Sequence, residues 1–130
     1  MAGKLVHLEM PAQDGGRARK FYGSLLGWNL KDAEVPGLDY FMTQGIEPVV
    51  AIFTSPDQKK GPIIYFGVDE IDAAIHKARE LGGTADEKMP VPGQGWFAAC
   101  TDTEGNPFSL WQDDKAAPMP EPQGAATART

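Results

Sequence analysis

One order of elements occurs twice in these 130 residues, and that repeat narrows the possible folds more than any single motif does. Each copy opens with a short apolar strand, runs through an amphipathic helix that stops at a Leu-Gly pair, and closes with three further strands. The two pairs, Leu26-Gly27 and Leu81-Gly82, stand 55 residues apart. A chain of this length makes one domain, or two small halves sharing a core.

In the first copy, residues 5–10 alternate, with Leu5, His7 and Glu9 on one face and Val6, Leu8 and Met10 on the other. Pro11 is expected to end this strand. Asp14 is placed to cap a helix carrying Ala18, Phe21, Tyr22, Leu25 and Leu26 at helical spacing, and Gly27 sits where a left-handed cap is expected. Residues 28–30, 40–43 and 49–54 read as strands between breakers at Pro36-Gly37 and 45–48. Residues 56–62, PDQKKGP, read as a linker.

The second copy starts with a strand at 63–68. Asp69 is expected to cap a helix whose apolar face is Ile71, Ala74, Ile75, Ala78 and Leu81, stopped by Gly82-Gly83. A weak strand near 84–88 and a loop at 90–95 lead to a hairpin, strands 96–101 and 107–112 around the turn 102–106. In its return strand Pro107, Ser109 and Trp111 oppose Phe108, Leu110 and Gln112. Large rings on both faces call for protein or ligand on each side. A sheet with a helix behind and an occupied concave front meets that demand, and so does a closed sandwich core with no pocket.

The net charge of −6 argues against a nucleic-acid partner, which needs a basic face. No window approaches the ~20 apolar residues of a membrane span, and MAGKLVHLEM enters an alternating strand at once, so no signal peptide is expected. A single cysteine, Cys100, excludes an intrachain disulfide and fits a reducing, cytoplasmic compartment. With only His7 and His76 as histidines, a metal site would need carboxylates. Residues 115–130, rich in Ala, Pro, Gly and Thr without an aromatic, are expected to form a mobile tail, with a partner-binding tail as the alternative.

The segments HLEMPAQDGGRARKFYGSLLGW, VDEIDAAIHKARELGG and PVPGQGWFAACTDTEGNPFSLWQ resemble the glyoxalase/bleomycin resistance/dioxygenase superfamily, the vicinal oxygen chelate fold, in its small single-chain, lactoylglutathione-lyase-related type. The resemblance runs from Lys4 to about Asp113. It implies an α+β fold of two tandem βαβββ modules, about 4–55 and 62–114, forming a curved, cup-like mixed sheet with helices outside, often in a homodimer. In metal-using relatives four ligands come from symmetric strand positions. Carried over, these fall on His7, on Ile63, on Ser109, and on the strand 49–54, which has no carboxylate and is merely preceded by Glu47. One ligand of four survives, so no metal and no cofactor are expected.

His7 and Glu9 face one side of their strand, as an acid–base pair, as ligand anchors, or as a structural pair. By the same parity Ile63 and Tyr65 are expected to line the second half of the cup, with Ser109 and Trp111 on its far wall and Trp96 near its mouth. His76 reads as a solvated surface residue. The resulting expectation is a small-molecule-binding protein that sequesters an aromatic or cationic compound. The alternatives are an enzyme of lyase, isomerase or dioxygenase type, using His7 and Glu9 or an unusual metal site, and an interaction domain with a collapsed cup.

Overall fold

The computed structural model describes residues 3–55 and 61–119. The expected linker at 56–62 therefore lies mostly outside the described residues, as does the tail beyond Met119. The elements are β1 (Lys4–Ala12), α1 (Gly15–Leu26), β2 (Leu30–Asp32), β3 (Tyr40–Thr43) and β4 (Val49–Thr54). Then come β5 (Ile63–Gly67), α2 (Ile71–Glu80), β6 (Thr84–Ala85), β7 (Met89–Val91), β8 (Gly95–Thr101) and β9 (Pro107–Asp113). This is the α+β class, with the strand–helix–strands module occurring twice. The chain divides into two compact units, Leu5–Tyr65 and Met1–Lys4 with Phe66–Thr130, the division falling inside β5.

In the unit Leu5–Tyr65 the strands run in the order β2-β3-β4-β1, with the start of β5 next to β1. β1 and β4 are parallel and the remaining pairs of β2, β3 and β4 antiparallel, so the sheet is mixed. Leu30, Phe41 and Ile52 are buried, with Met10, Ala12, Ala18, Tyr22 and Trp28 packed against them. That places the even-numbered residues of β1 on the helix side. Asp14 caps α1, its Oδ1 accepting from the Arg17 N–H at 3.0 Å, and Gly27 takes the left-handed cap at φ 71°. Gly15 is buried, and a Cβ there would come within 2.6 Å of Thr54 Oγ1, so glycine lets the helix close onto β4.

Three expectations change here. Pro11 does not end β1, which continues in register to Ala12 opposite Thr54. Proline is tolerated where no ladder bond needs its nitrogen. The strand expected at 28–30 begins at Leu30, because Trp28 turns to stack on Tyr22 at 5.7 Å. The apolar face of α1 is also narrower than its spacing suggests. The sheet covers the Gly15–Ala18–Tyr22 line, and Phe21, Leu25 and Leu26 remain 58%, 64% and 50% exposed.

In the other unit β9, β8 and β6 are consecutive neighbours, β7 pairs with β8, and the end of β5 runs beside β9. Ile71, Ile75, Ala98, Cys100 and Leu110 form the core, with Phe108 and Trp96 packed against it. The expected hairpin is present, one residue longer in each strand. Its turn is tied by Asp102, whose Oδ1 accepts from the Glu104 and Asn106 N–H groups, while Gly105 takes φ 84°. Part of the loop expected at 90–95 is strand β7, and the weak strand shortens to Thr84–Ala85. The start of the expected tail is tied down: Ala117 is buried and its carbonyl accepts from the Gly93 N–H at 3.0 Å.

Asp69 is not the capping residue of α2. Glu70 holds that position without a side-chain cap bond, and the Ile71 N–H instead donates to Gln112 Oε1 of β9 at 2.8 Å. A helix end left without an acceptor costs about 0.5–2 kcal/mol. Gln112→Ala should therefore lower stability by about 1 kcal/mol in urea unfolding, comparable to Asp14→Ala. An unchanged midpoint in Gln112→Ala would remove this long-range cap.

Candidate functional site

β1 separates two chemistries. Its even positions Met10 and Ala12 pack toward α1, which sends His7 and Glu9 to the open side of the sheet. Their register partners on β4 are Val49 and Ala51; on β3, Met42 continues the Glu9–Ala51 row, and Tyr40 stands in the next row on this face, beside Phe53, the partner of Pro11. The open face of this unit thus carries a polar pair within an apolar and aromatic surround.

Tyr40 joins the pair. Its hydroxyl donates to Glu9 Oε2 at 2.6 Å and lies 3.1 Å from His7 Nε2. His7 Nε2 and Glu9 Oε2 are 3.8 Å apart, and the two side chains are 19% and 16% exposed. Tyr40 stands on β3 and Glu9 on β1, so the phenol reaches across the intervening β4 at strand spacings of ~4.8 Å. The residue on β4 in register with Glu9 is Ala51, small and fully buried. Tyr40 also stacks on Phe53, with ring centroids 6.1 Å apart. Tyr65 of β5 meets His7 edge to face at 5.0 Å and 89°.

The electrostatics follow from burial. Desolvation pushes the Glu9 carboxyl up, but His7, the Tyr40 hydroxyl and Tyr65 together outweigh it and hold the group below the usual carboxylate range. Burial, the Glu9 charge and the bond to Glu9 all raise Tyr40, so the phenol stays protonated and can only donate to the carboxylate.

The structure thus brings His7, Glu9 and Tyr65 together on one face, with Ile63 half-buried two residues before Tyr65 on the same strand parity. Ser109 and Trp111 belong to the other unit, on the face of β9 opposite to Phe108 and Leu110. Ser109 is buried, and Trp111 Nε1 donates to Asp113 Oδ1 at 2.7 Å. The indole lies over Gly95, where a Cβ would meet Trp111 Cζ2 at 2.6 Å. Trp96 departs from its expected place. It packs on the α2 side with the core, donates to Asp114 Oδ2 at 3.0 Å and carries Lys88 Nζ 4.4 Å above its ring. Its register partner is Gln112, a residue of the helix-facing set. His76 is exposed beside Glu80, as expected.

The donor set does not fit a resident metal. Among the described residues no group of three or more His, Cys, Asp or Glu side chains converges. His7 and Glu9 are only two such side chains, and Tyr40 bonds to Nε2 of one and Oε2 of the other. At the other carried-over positions stand Ile63 and Ser109, and Glu47 is exposed. Two surface cavities of about 380 and 510 Å³ open beside α1, and neither is lined by His7, Glu9, Tyr40 or Tyr65.

Residues 4–110 match the profile of the Glyoxalase/Bleomycin resistance protein/Dioxygenase superfamily. A glyoxylase-named protein of Mycobacterium tuberculosis, CFP32, is 32% identical over 83% of this chain and 45% of its own length. A glyoxylase-like domain-containing protein of Didymella fabae is 29% identical over 83% of this chain and 92% of its own length. The chain thus spans about half the length of the mycobacterial relative. Among solved structures, a hypothetical protein of Bacillus halodurans superposes with a TM-score of 0.71 at 19% identity, covering 92% of this chain and all of that one. Methylmalonyl-CoA epimerase of Mycobacterium tuberculosis superposes with a TM-score of 0.66 at 19% identity, over 96% and 97% of the two chains.

Because the folded Glu9 titrates below its unfolded value, its contribution to stability is present above the ordinary carboxylate range and is lost as pH falls through the lowered value. Glu9→Gln should be less stable than the parent at neutral pH, with the difference shrinking in acid urea titrations. A difference that stays constant or grows toward low pH would contradict the ionised, bonded state of Glu9.

Proposed function

Because the chain belongs to the glyoxalase/bleomycin resistance/dioxygenase superfamily, we propose that it binds a small aromatic or cationic molecule on the open face of β1, β3, β4 and β5. The observation that supports this most is the Tyr40-bridged pair of His7 and Glu9 among the rings of Tyr65, Phe53 and Tyr40. Ligand sites are mostly apolar and aromatic with a few convergent polar groups, and this face has that composition. An ionised carboxylate there favours a cation over an anion, as does the net charge of −6. In the other unit, the same reading assigns Ser109 and Trp111 to ligand contact through the face of β9 away from α2.

Among the described residues no three His, Cys, Asp or Glu side chains converge, and the first reading is sequestration of the bound molecule. A second reading is supported by the hydrogen-bonded order His7–Tyr40–Glu9, which can hold a proton next to a bound molecule. Solved structures that share the fold are named as methylmalonyl-CoA epimerases. In that reading His7 is the acid or base, and Glu9 acts through Tyr40 to orient it.

The protein is further read as a cytoplasmic homodimer. Its one cysteine is a free, buried thiol, which burial and Asp86 push up to about 11, so it is inert rather than oxidisable. The exposed Phe21, Leu25 and Leu26 on α1 offer an apolar surface for a second copy. Sedimentation of Phe21→Glu/Leu25→Glu beside the parent tests this: a dimer that dissociates is expected, and a monomeric parent removes the dimer.

Binding is tested with an aromatic-amine fragment set read by calorimetry. His7→Ala and Tyr65→Ala should weaken a bound fragment at least several-fold. A fragment bound on the β9 face of the other unit should lose about 1 kcal/mol beyond area in Trp111→Ala, and His76→Ala should change nothing. Retained affinity in His7→Ala and Tyr65→Ala together would move the functional surface elsewhere.

A further inference from the structure

The protons of the His7–Tyr40–Glu9 set can be counted one by one. Tyr40 has a single hydroxyl proton, and the 2.6 Å separation from Glu9 Oε2 is the length of a hydroxyl donating to a carboxylate. An ionised carboxylate has no proton to return, so the tyrosine oxygen keeps only lone pairs for its other neighbour. That neighbour is His7 Nε2 at 3.1 Å. Two lone pairs facing each other at this distance would repel, so Nε2 must carry hydrogen. A neutral imidazole has one N–H, which leaves a lone pair on Nδ1. Among the described residues none forms a hydrogen bond with Nδ1, and the contact with Tyr65 is ring to ring.

We infer that Tyr40 holds the proton of neutral His7 on Nε2, so that the site offers a lone pair at Nδ1 and selects a ligand bearing a hydrogen-bond donor: a protonated amine, a phenol or an alcohol. The choice of ligand class rests on the binding reading above; the tautomer does not. A carboxylate or phosphate would set lone pairs against Nδ1 and negative charge near Glu9. Tyr40 is a positioning residue in this scheme. It was not singled out by sequence because its partners stand two strands away.

The tautomer is read directly from long-range proton–nitrogen correlations of protein labelled with ¹⁵N-histidine, at a pH well above the ordinary histidine range. His76→Ala assigns the two rings. The expected spectrum shows His7 with a protonated Nε2 and a pyridine-like Nδ1, and Tyr40→Phe loses that single tautomer for a mixture. A protonated Nδ1 in the parent overturns the inference, as does an unchanged tautomer in Tyr40→Phe. Phenethylamine, phenethyl alcohol and phenylacetate, which share one ring, are then added at millimolar concentration. The amine or alcohol should shift His7 Nδ1 and the acid should not. A larger shift with phenylacetate overturns the ligand class. No shift with any of the three removes the binding reading of this face and leaves the tautomer standing.

Discussion

A carboxylate that a sheet draws away from water needs donors from the protein itself, and that requirement organises the open face of this molecule. Glu9 accepts a 2.6 Å hydrogen bond from Tyr40, two strands away. The bond demands that β3, β4 and β1 lie in one register, that the intervening position be as small as Ala51, and that Tyr40 remain protonated. Unmade, it would leave a partly buried charge with a desolvation penalty of about 1–3 kcal/mol. Made, it places a histidine within reach of the same hydroxyl.

The opposite face of the same strands obeys a simpler rule. Phe41 and Ile52 are buried on the α1 side with Met10 and Ala12 packed against them, and the buried Thr43 hydroxyl on that side accepts from the Val50 N–H. Alternation in β1 thus builds a stabilising face and a chemical face from nine consecutive residues. The other unit repeats the device. Phe108 and Leu110 go to α2 and Ser109 and Trp111 away from it, and Gln112 spends its helix-side position on capping α2.

Much of this was legible in the sequence because it depends on local rules. Strands 40–43 and 49–54 are bounded by glycine and proline breakers, and their limits are those observed. Asp14 and Gly27 signal the ends of α1 by side-chain acceptor and positive φ. Parity alone put His7 and Glu9 on the open face, and Tyr65 joins them there through its ring contact with His7. What escaped depends on register between distant strands. Tyr40 is an ordinary strand residue until β4 is known to lie between it and β1. The Gln112 bond to Ile71 joins positions 41 apart, so no capping rule of neighbouring residues finds it. Trp96 was recoverable: a hairpin turning at 102–106 pairs it with Gln112, on the helix side.

The family fold and the local site carry different weight. Membership settles the architecture and leaves the chemistry to side chains. The central claim is that Tyr40 and Glu9 act as one unit on this face. A double-mutant cycle of Tyr40→Phe and Glu9→Gln in urea unfolding at neutral pH measures it most directly. The predicted coupling is about 1.5–3 kcal/mol, the range for a hydrogen bond to a charged group. Additive losses, with no coupling between the two substitutions, would contradict it.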